Sequence, residues 1–398
     1  MRPVKELKQY VIADVEARRD ALVQMADAIH ANPEVAFEEF EATALLVGVL
    51  EDNGFEIERG VADLETAFVA SLSGEESGPT MAFVAQYDAL PGLGHACGHN
   101  LIAAAATGAG LAMKSVLPEL KGIVQVVGTP AEEAGGGKVL MVDAGIFDGV
   151  DAAIMVHPSD RNALGRGSLA VYSIQIEFFG KPAHAAARPE LGINALEAML
   201  LTFSGINALR QHLRDDARIH GVITHGGDAA NIVPEYTSAE MLVRAVDTPY
   251  AREIYEKVRA CAEGAALATG ARLAFTQPSP RYDARMPNPK LVDLYHQNML
   301  ALGQEVELAT GNESKASSDM GNVSQVVPSI IPGICIGPLG LGMHTVECRE
   351  ASASPLGPEA MILAAKALAM TAVDLLAEPA NLNAAREAYL AQKAAMAG

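Results

Sequence analysis

Apolar and polar residues follow two alternating patterns along this chain, and the order of the predicted elements changes near residue 167. In the first part, segments with apolar residues at helical spacing alternate with short apolar runs typical of buried strands. The pattern predicts helices at 7–30, 38–52, 98–113 and 138–144, and strands at 67–72, 81–85, 122–129 and 151–156. Strands that alternate with helices in this way indicate an α/β fold with a doubly wound, mostly parallel sheet.

The middle of the chain has a different order of elements. Long alternating segments predict strands at 168–179, 219–224, 236–246 and 272–276, with helices at 193–213 and 250–268. This β-α-β-β-α-β order is typical of an α+β, ferredoxin-like domain with an antiparallel sheet. Beyond Pro287 the α/β pattern resumes, with a strand at 330–336 and helices at 358–376 and after Pro379. We therefore predict one domain made of residues 1–167 and 288–398, into which a second domain, residues 168–287, is inserted.

Residues suited to bind metal ions follow one of the predicted strands. Cys97 and His99, flanked by Gly94 and Gly98, come shortly after the strand at 81–85. In an extended segment these two side chains point to the same side, so both can reach one ion. A thiolate beside an imidazole suits zinc, cobalt, nickel or manganese better than magnesium or calcium. An isolated Cys-x-His pair is, however, more often part of the packing than a metal site.

Two glutamates and two histidines occupy comparable positions. They are Glu132 and Glu133 after the strand at 122–129, His157 at the end of the run 151–156, and His344 after the glycine-rich segment 337–343. Open α/β sheets gather their ligands beyond the carboxyl ends of their strands. Adjacent carboxylates on extended backbone diverge, so one can bind a metal while the other faces a water molecule. The alternatives are a solvated helix N-terminus for the glutamates and histidines that are satisfied without a metal.

Composition excludes several classes of protein. The formal charge of −20 argues against nucleic acid, whose phosphates would be repelled. The N-terminal residues lack the apolar core of a signal peptide, and we expect no segment that approaches the roughly 20 uninterrupted apolar residues of a membrane span. The four cysteines are sparse for 398 residues and have no disulfide-scaffold spacing. We therefore expect a cytoplasmic protein with reduced thiols that binds neither nucleic acid nor membrane.

Six sequence motifs together resemble those of a known family. They are HANPEVAFEE at 30–39, YDALPGLGHACGHN at 87–100, GTPAEEAGGGK at 128–138, DAAIMVHP at 151–158, GKPAHAAARPELGINAL at 180–196 and MHTVE at 343–347. In this order they resemble the aminoacylase and carboxypeptidase group of dinuclear metallopeptidases, peptidase family M20. The amidohydrolase branch is most similar, in particular p-aminobenzoyl-glutamate hydrolase subunits and dipeptidases that release basic amino acids. The resemblance implies a catalytic domain that holds two metal ions and an inserted domain that acts as a lid and forms the dimer.

The resemblance also implies roles for individual residues of the catalytic domain. The metal ligands of the family correspond to Cys97, His99, Glu133, His157 and His344. Glu132 corresponds to the catalytic base, and Asp88 to the aspartate that orients the site. Gln86 stands where carboxypeptidase-like members have a ligand histidine, a loss that the Cys97–His99 pair compensates for in this branch. The implied cofactors are two divalent ions per chain, zinc being favoured and manganese, cobalt or nickel the alternatives.

Three residues of the inserted domain match further family positions. His184 corresponds to a donor to the tetrahedral oxyanion that is delivered across a dimer interface. Asn231 and Arg244 correspond to positions that contact the substrate, although a surface salt bridge is an equally good interpretation of Arg244. The implied partners are a small-molecule amide substrate and a second copy of this chain.

The function that these residues predict is metal-dependent hydrolysis of an amide bond next to a free carboxylate, in an N-acyl amino acid or a dipeptide-like substrate. Glu132 would act as general base toward a metal-activated water. One alternative is an aminopeptidase-like exopeptidase, which would need an acid that holds the α-ammonium group of its substrate. Another is a non-catalytic binding protein on the same fold, against which the complete ligand set and Glu132 argue.

Overall fold

The computed structural model describes residues 2–311, 313 and 316–397, which form two compact units. Unit 1 contains the described residues of Met1–Gly167, Arg285–Lys315 and Asp319–Gly398, and unit 2 contains Ser168–Ala284 and Ala316–Ser318. The predicted domain boundary after residue 287 therefore lies three residues beyond the boundary between the units. The short segment 316–318, which we assigned to the first domain, groups with unit 2.

Unit 1 contains most of the regular structure. Its helices are α1 (Val4–Ala17), α2 (Arg19–Ala31), α3 (Phe40–Asp52), α4 (His99–Met113) and α5 (Gly137–Asp143), followed after unit 2 by α8 (Pro289–Ala301), α9 (Met320–Val326), α10 (Val346–Ser352), α11 (Leu356–Ala377) and α12 (Pro379–Ala397). Its strands are β1 (Glu56–Arg59), β2 (Phe68–Ser73), β3 (Glu76–Gln86), β4 (Lys121–Thr129), β5 (Ala152–Ile154), β6 (His157–Ser159), β7 (Ala163–Leu164), β12 (Glu307–Leu308), β13 (Ser329–Ile330) and β14 (Gly333–Cys335).

Six of these strands form the main sheet of unit 1, in the order β1-β2-β4-β3-β5-β13. The pairings of β3 with β4, β3 with β5, and β5 with β13 are parallel, whereas β2 pairs antiparallel with both β1 and β4. This sheet agrees with the predicted mostly parallel α/β fold. A second, four-stranded sheet has the order β12-β7-β14-β6.

Both faces of the main sheet are covered, as the long apolar runs of its central strands require. Along β3, Met81, Phe83 and Ala85 face one hydrophobic core, which also includes residues of α1, α4 and α11. Ala82 and Val84 face a second, smaller core with residues of α5 and α9. Since successive side chains of a strand point to opposite faces, one apolar run supplies both cores. The run therefore fixes β3 at the centre of the sheet.

Unit 2 has the predicted β-α-β-β-α-β order. Its elements are β8 (Ala170–Phe179), α6 (Ala195–Arg210), β9 (Arg218–His225), β10 (Tyr236–Ala245), α7 (Thr248–Thr269) and β11 (Arg272–Thr276). The sheet order is β11-β8-β10-β9, and all of its pairings are antiparallel. Inward-facing residues of β8, such as Ile174 and Ile176, pack with α6 and α7 in a separate hydrophobic core. Unit 2 thus has the ferredoxin-like α+β arrangement that the sequence indicates.

Two predictions from the apolar pattern are wrong in detail. The helix predicted at 7–30 is two helices, α1 and α2, because the chain leaves helical geometry at Arg18. The strand predicted at 330–336 is divided between β13 and β14, which belong to different sheets and are separated by Ile331 and Pro332. One helix, α11, is long and apolar enough to cross a membrane by length and composition, although Glu359, Lys366 and Asp374 interrupt its apolar residues. However, 83% of its apolar window is buried, as in the core helix of a soluble protein.

Two glycines provide a matched test of this packing. A Cβ atom on Gly122, which has a φ of +114°, would lie 2.1 Å from the carbonyl oxygen of Pro79, so Gly122→Ala should lower the free energy of unfolding by at least about 2 kcal/mol. Gly264 is exposed in the middle of α7, with nothing within 4 Å of the added atom. Gly264→Ala should raise that free energy by about 0.5–1 kcal/mol. Urea unfolding followed by circular dichroism measures both changes, and equal effects would contradict the packing described.

Candidate functional site

The candidate residues of unit 1 gather at one edge of its main sheet. Asp88 follows the end of β3, Glu132 and Glu133 follow β4, and His157 begins β6 shortly after β5. Because β3 runs parallel to β4 and β5, the carboxyl ends of the three strands meet at this edge. The parallel pairing therefore brings together residues that are up to 69 positions apart in the sequence.

Cys97 and His99 reach this edge by a route that differs from the predicted one. They do not lie on an extended segment, because Gly98 between them has a left-handed conformation with a φ of +69°. His99 is the first residue of α4. A Cβ atom at Gly98 would lie 2.6 Å from the Pro158 ring, so this turn needs glycine for space as well as for conformation.

Six side chains form three overlapping groups of metal-ligand type among the described residues. Cys97, His99 and His157 form the first group, Cys97, Glu133 and His344 the second, and His99, Glu132 and Glu133 the third; within each group the ligand atoms lie within 4.8 Å of one another. The Cys97 Sγ lies 3.5 Å from the His157 Nε2, and the His344 Nε2 lies 3.3 Å from a Glu133 oxygen. The Cys97 thiol thus belongs to both the first and the second group.

Glu133 provides evidence that these groups fit cations. Its Oε1 is buried and accepts no hydrogen bond, although His99 Nε2 lies 3.8 Å away. Burial of a carboxylate oxygen without a donor is costly, and a cation removes that cost. Thiolate, imidazole and carboxylate are together the donors that zinc and similar divalent ions prefer. The donor set therefore fits two such ions.

Burial has the largest effect on the protonation of Cys97 and His157. Burial, followed by the carboxylates of Glu133 and Glu132, raises the pKa of Cys97 well above its ordinary value. Burial, followed by the electrostatic effect of His99, lowers the pKa of His157 to about 3. The ring of His157 is therefore neutral and offers a lone pair, whereas the thiol needs a nearby cation to ionise.

Glu132 and Glu133 lie in a tight turn, so our prediction of extended backbone there is wrong. The segment 131–137, which we call the acidic turn, begins at Ala131, whose φ of +58° is left-handed. The carbonyl of Ala131 accepts a hydrogen bond of 2.7 Å from the Gly136 N–H, which closes the turn. Burial, followed by the nearby carboxylates of Asp319 and Glu133, raises the pKa of Glu132 to about 8.

Asp88 connects the acidic turn to His99. Its Oδ1 lies 3.0 Å from the His99 Nδ1, and its Oδ2 accepts a hydrogen bond of 2.8 Å from the Glu133 N–H. The backbone carbonyl of Asp88 lies 2.8 Å from the same ring nitrogen. One buried carboxylate therefore orients two candidate ligands.

A buried ion pair beside the site was not predicted. Lys138 and Asp319 are fully buried, with their charged atoms 3.0 Å apart. Lys138 also donates to the Oε1 of Gln86, whose amide nitrogen lies 2.7 Å from the His99 Nε2. A lysine within the apolar segment 137–143 was a possible signal, but nothing local in the sequence indicates its pairing with Asp319, 181 positions away.

The candidate residues of unit 2 lie at two separate places within it. His184 is exposed and forms an isolated bridge with Ile232, next to Asn231. The half-buried Arg244 lies near the other end of β10, where its guanidinium donates to the Ser317 hydroxyl at 3.1 Å. The length of β10 between the two places corresponds to about 26 Å. The structure therefore does not bring His184 and Arg244 together within one copy of unit 2.

Known proteins are similar to this chain in sequence. Residues 82–369 match the family described as Peptidase family M20/M25/M40. The Xaa-Arg dipeptidase of Mus musculus is 38% identical, over 96% of this chain and 92% of its own length. A p-aminobenzoyl-glutamate hydrolase subunit of Escherichia coli (strain K12) is 30% identical, over 97% of this chain and 95% of its own length.

A solved structure has the same fold. The crystal structure of a Bacillus subtilis protein, described as a dinuclear metal binding peptidase from the M20 family, superposes with a TM-score of 0.69 and 24% identity. It covers 91% of this chain and 99% of its own. These similarities confirm the resemblance, the fold class and the assignment as a hydrolase of amide bonds that the motifs indicated. The chain belongs to peptidase family M20/M25/M40.

Proposed function

We propose that this hydrolase uses two divalent metal ions to cleave the amide bond next to a free carboxylate, in a dipeptide or an N-acyl amino acid. The observation that carries the proposal is the pair of donor groups that share Cys97, with Glu132 beside them. The names of the relatives support the substrate class, since one is a dipeptidase and the other hydrolyses p-aminobenzoyl-glutamate.

Five residues would hold the ions. Cys97, His99 and His157 would hold one, and Cys97, Glu133 and His344 the other. Zinc is favoured by the thiolate and imidazole donors, with manganese, cobalt and nickel as alternatives. When bound, such ions polarise the scissile carbonyl and lower the pKa of a water molecule.

Glu132 is the proposed general base. It accepts a proton from the attacking water and delivers this proton to the leaving nitrogen, so that the C–N bond breaks as the amine is released. Burial, followed by the neighbouring carboxylates of Asp319 and Glu133, raises the pKa of Glu132 to about 8, a direction that makes it a stronger base than an ordinary glutamate. Asp88 supports this step indirectly, because it holds the Glu133 N–H and the His99 ring in place.

His184 is the proposed donor to the oxyanion. Its Nδ1 accepts hydrogen bonds from the N–H groups of Ala186 and Ala187, so in the neutral ring the hydrogen is on Nε2. Asn231 and Arg244 are the proposed substrate contacts. A dipeptide is only about 7 Å long, so it cannot touch both ends of one β10. We therefore infer that a site which uses both His184 and Arg244 takes them from different subunits.

A homodimer through unit 2 would meet this requirement. β9 is an edge strand of the unit 2 sheet and has only β10 as a neighbour among the described residues. Val222 on this strand is 58% exposed, and Leu200 and Leu201 on α6 are 44% and 45% exposed. An edge strand with exposed apolar side chains readily pairs with another chain. A second copy of unit 2 is the proposed partner.

We also propose that the enzyme works in the cytoplasm on a small molecule. Its four cysteines form no disulfide, as expected for a reducing compartment. Its net charge of −20 would repel the phosphates of nucleic acid. The apolar helix α11 is committed to the core of unit 1, which argues against a role at a membrane.

Hydrolysis of a defined set of compounds tests the reaction class. Purified enzyme supplied with Zn²⁺ or Mn²⁺ should cleave Ala-Arg, N-acetyl-arginine or p-aminobenzoyl-glutamate, because each has an amide next to a free carboxylate. Ala-Arg with its carboxylate amidated is the matched control and should not be cleaved. Product amines are measured by chromatography. Cleavage confined to substrates with a free α-ammonium group would favour the aminopeptidase alternative, and no cleavage at all would favour a binding protein.

Substitution of the adjacent glutamates should separate catalysis from metal binding. Glu132→Gln is nearly isosteric but cannot accept a proton, so kcat should fall by roughly 10²–10⁴-fold while about two ions per chain are retained. Glu133→Gln should instead lose metal, since its carboxylate is a proposed ligand. Elemental analysis and steady-state kinetics of the two variants measure these effects. Equal metal content and equal rates in the two variants would contradict the assigned roles.

Mixing two inactive variants tests the contribution of the partner subunit. If His184 acts across the dimer, a hybrid of His184→Ala and Glu132→Gln subunits has one site with both defects and one intact site, and should show about half the activity of a wild-type dimer. If His184 acts within its own chain, every site keeps one defect and activity stays absent. Activity is measured after subunit exchange, with each variant alone as a control.

A further inference from the structure

Glu39 is a buried carboxylate that has no part in the chemistry proposed above. It is 0% exposed, although it lies at the N-terminus of α3 in unit 1, where acidic side chains normally face solvent. Its Oε1 accepts a hydrogen bond of 2.9 Å from the Ala131 N–H, and its Oε2 accepts one of 2.9 Å from the Thr66 hydroxyl. The carboxylate therefore connects α3 to the first residue of the acidic turn.

The side chain of Glu39 does not cap α3, although it stands at the N-cap position. A residue at the N-cap position usually accepts hydrogen bonds from the second and third N–H groups of its helix. Here Glu34 takes both of them, from Glu41 and Ala42, each at 2.9 Å. Glu39 makes no side-chain capping bond. Glu34 therefore caps α3, and the Glu39 carboxylate bonds instead to Ala131.

The backbone of Ala131 needs such support. A non-glycine residue with a φ of +58° is strained by about 1–3 kcal/mol and persists only where its surroundings hold it. Phe37, from the same segment as Glu39, packs so closely on the turn that a Cβ atom at Gly135 would lie 2.4 Å from its ring. Glu39 and Phe37 thus contact the acidic turn at Ala131 and at Gly135.

Two buried carboxylates, one on each side, fix the turn that carries Glu132 and Glu133. Glu39 holds the N–H of Ala131, the residue before Glu132, and Asp88 holds the N–H of Glu133 itself. We propose that Glu39 is a positioning residue that acts through Ala131 to set the direction of the Glu132 and Glu133 carboxylates. This inference rests on the proposed function, in which these two carboxylates are the base and a metal ligand.

The test uses two variants of Glu39 and one matched control. Glu39→Met keeps the volume of the side chain but removes both acceptors. Glu39→Gln keeps an acceptor for the Ala131 N–H, while the Thr66 hydroxyl can turn to accept from the new amide. Glu34 lies in the same segment and caps α3, but its side chain does not contact the acidic turn. Glu34→Met therefore shows how a loss of stability alone affects exchange, metal binding and kcat.

Hydrogen exchange gives a readout that does not depend on activity. In the peptide 128–138, the amide of Ala131 should exchange at least about tenfold faster in Glu39→Met than in wild type, because its hydrogen bond is lost. Exchange in Glu39→Gln and Glu34→Met should stay close to that of wild type. In a titration with Co²⁺, Glu39→Met should bind one of two ions at least about tenfold more weakly, as expected for displacement of a ligand.

Steady-state kinetics then test the effect of these variants on the reaction. The substrate is a compound from the hydrolysis test above that the wild type cleaves. Glu39→Met should lower kcat by on the order of 10²-fold at saturating metal, with a much smaller change in KM. Glu39→Gln should restore most of kcat, and Glu34→Met should lower the melting temperature while its kcat stays near that of wild type. Unchanged exchange, Co²⁺ binding and kcat in Glu39→Met would overturn the proposal, and so would an equal loss of kcat in Glu34→Met. A wild type that cleaves nothing would refute the proposed function, while exchange and Co²⁺ binding would still decide the role of Glu39.

Discussion

Burial of several carboxylates at one edge of a parallel sheet is the constraint that the rest of unit 1 satisfies. Glu39, Asp88 and Asp319 are each at most 1% exposed. A buried charge without a partner costs several kcal/mol, so each of them must face a donor or a cation. The chain supplies main-chain N–H groups to Glu39 and Asp88 and the Lys138 ammonium to Asp319. Among the described side chains, Glu133 Oε1 is the buried carboxylate oxygen at this edge that accepts no hydrogen bond. The protein therefore supplies donors to the supporting carboxylates itself and leaves one oxygen of a proposed metal ligand without a donor.

The sequence alone predicted that several candidate residues gather at one sheet edge, because its signals are local. A buried strand shows as an apolar run, parallel strands share one direction, and residues after their carboxyl ends must meet, which placed Glu133 and His157 together. The role of Asp88 came instead from the resemblance to the family. The supporting contacts have no such signal. Nothing in the sequence around Lys138 points to Asp319, and nothing around Glu39 points to Ala131, 92 positions away. Pairings of this kind are set by tertiary packing. Apolar pattern and motif therefore identify the candidate site residues but not the side chains that position them.

The positions of breaks and turns in the backbone were also not predicted, for a related reason. An apolar run shows that a segment is buried, but it does not show where the chain changes direction within the run. The break at Arg18 and the division of 330–336 between two sheets both lie inside continuous apolar patterns. The left-handed conformations of Gly98 and Ala131 replaced predicted extended backbone with turns. The glycine at 98 is a residue type that often adopts left-handed backbone. The alanine at 131 is not, because left-handed backbone is unfavourable for alanine, so the sequence did not indicate the turn there. Strain of this kind is found where the surroundings, here Glu39 and Phe37, impose it.

Cys97 makes the two donor groups dependent on each other. Its sulfur belongs to both, and burial together with the neighbouring carboxylates keeps it a thiol until positive charge arrives. In the proposed site, a cation held by one of these groups would ionise the thiol and so supply a donor to the other group as well. His157 would have to be in place for the first group to close around the sulfur, and Glu133 for the second. Under the proposed function, rigid support of the acidic turn and of the segment after β5 would be a condition for metal binding itself, and not only for the proton transfers proposed for Glu132. The same buried framework would then serve both binding and catalysis, although much of it lies outside the proposed ligands and base.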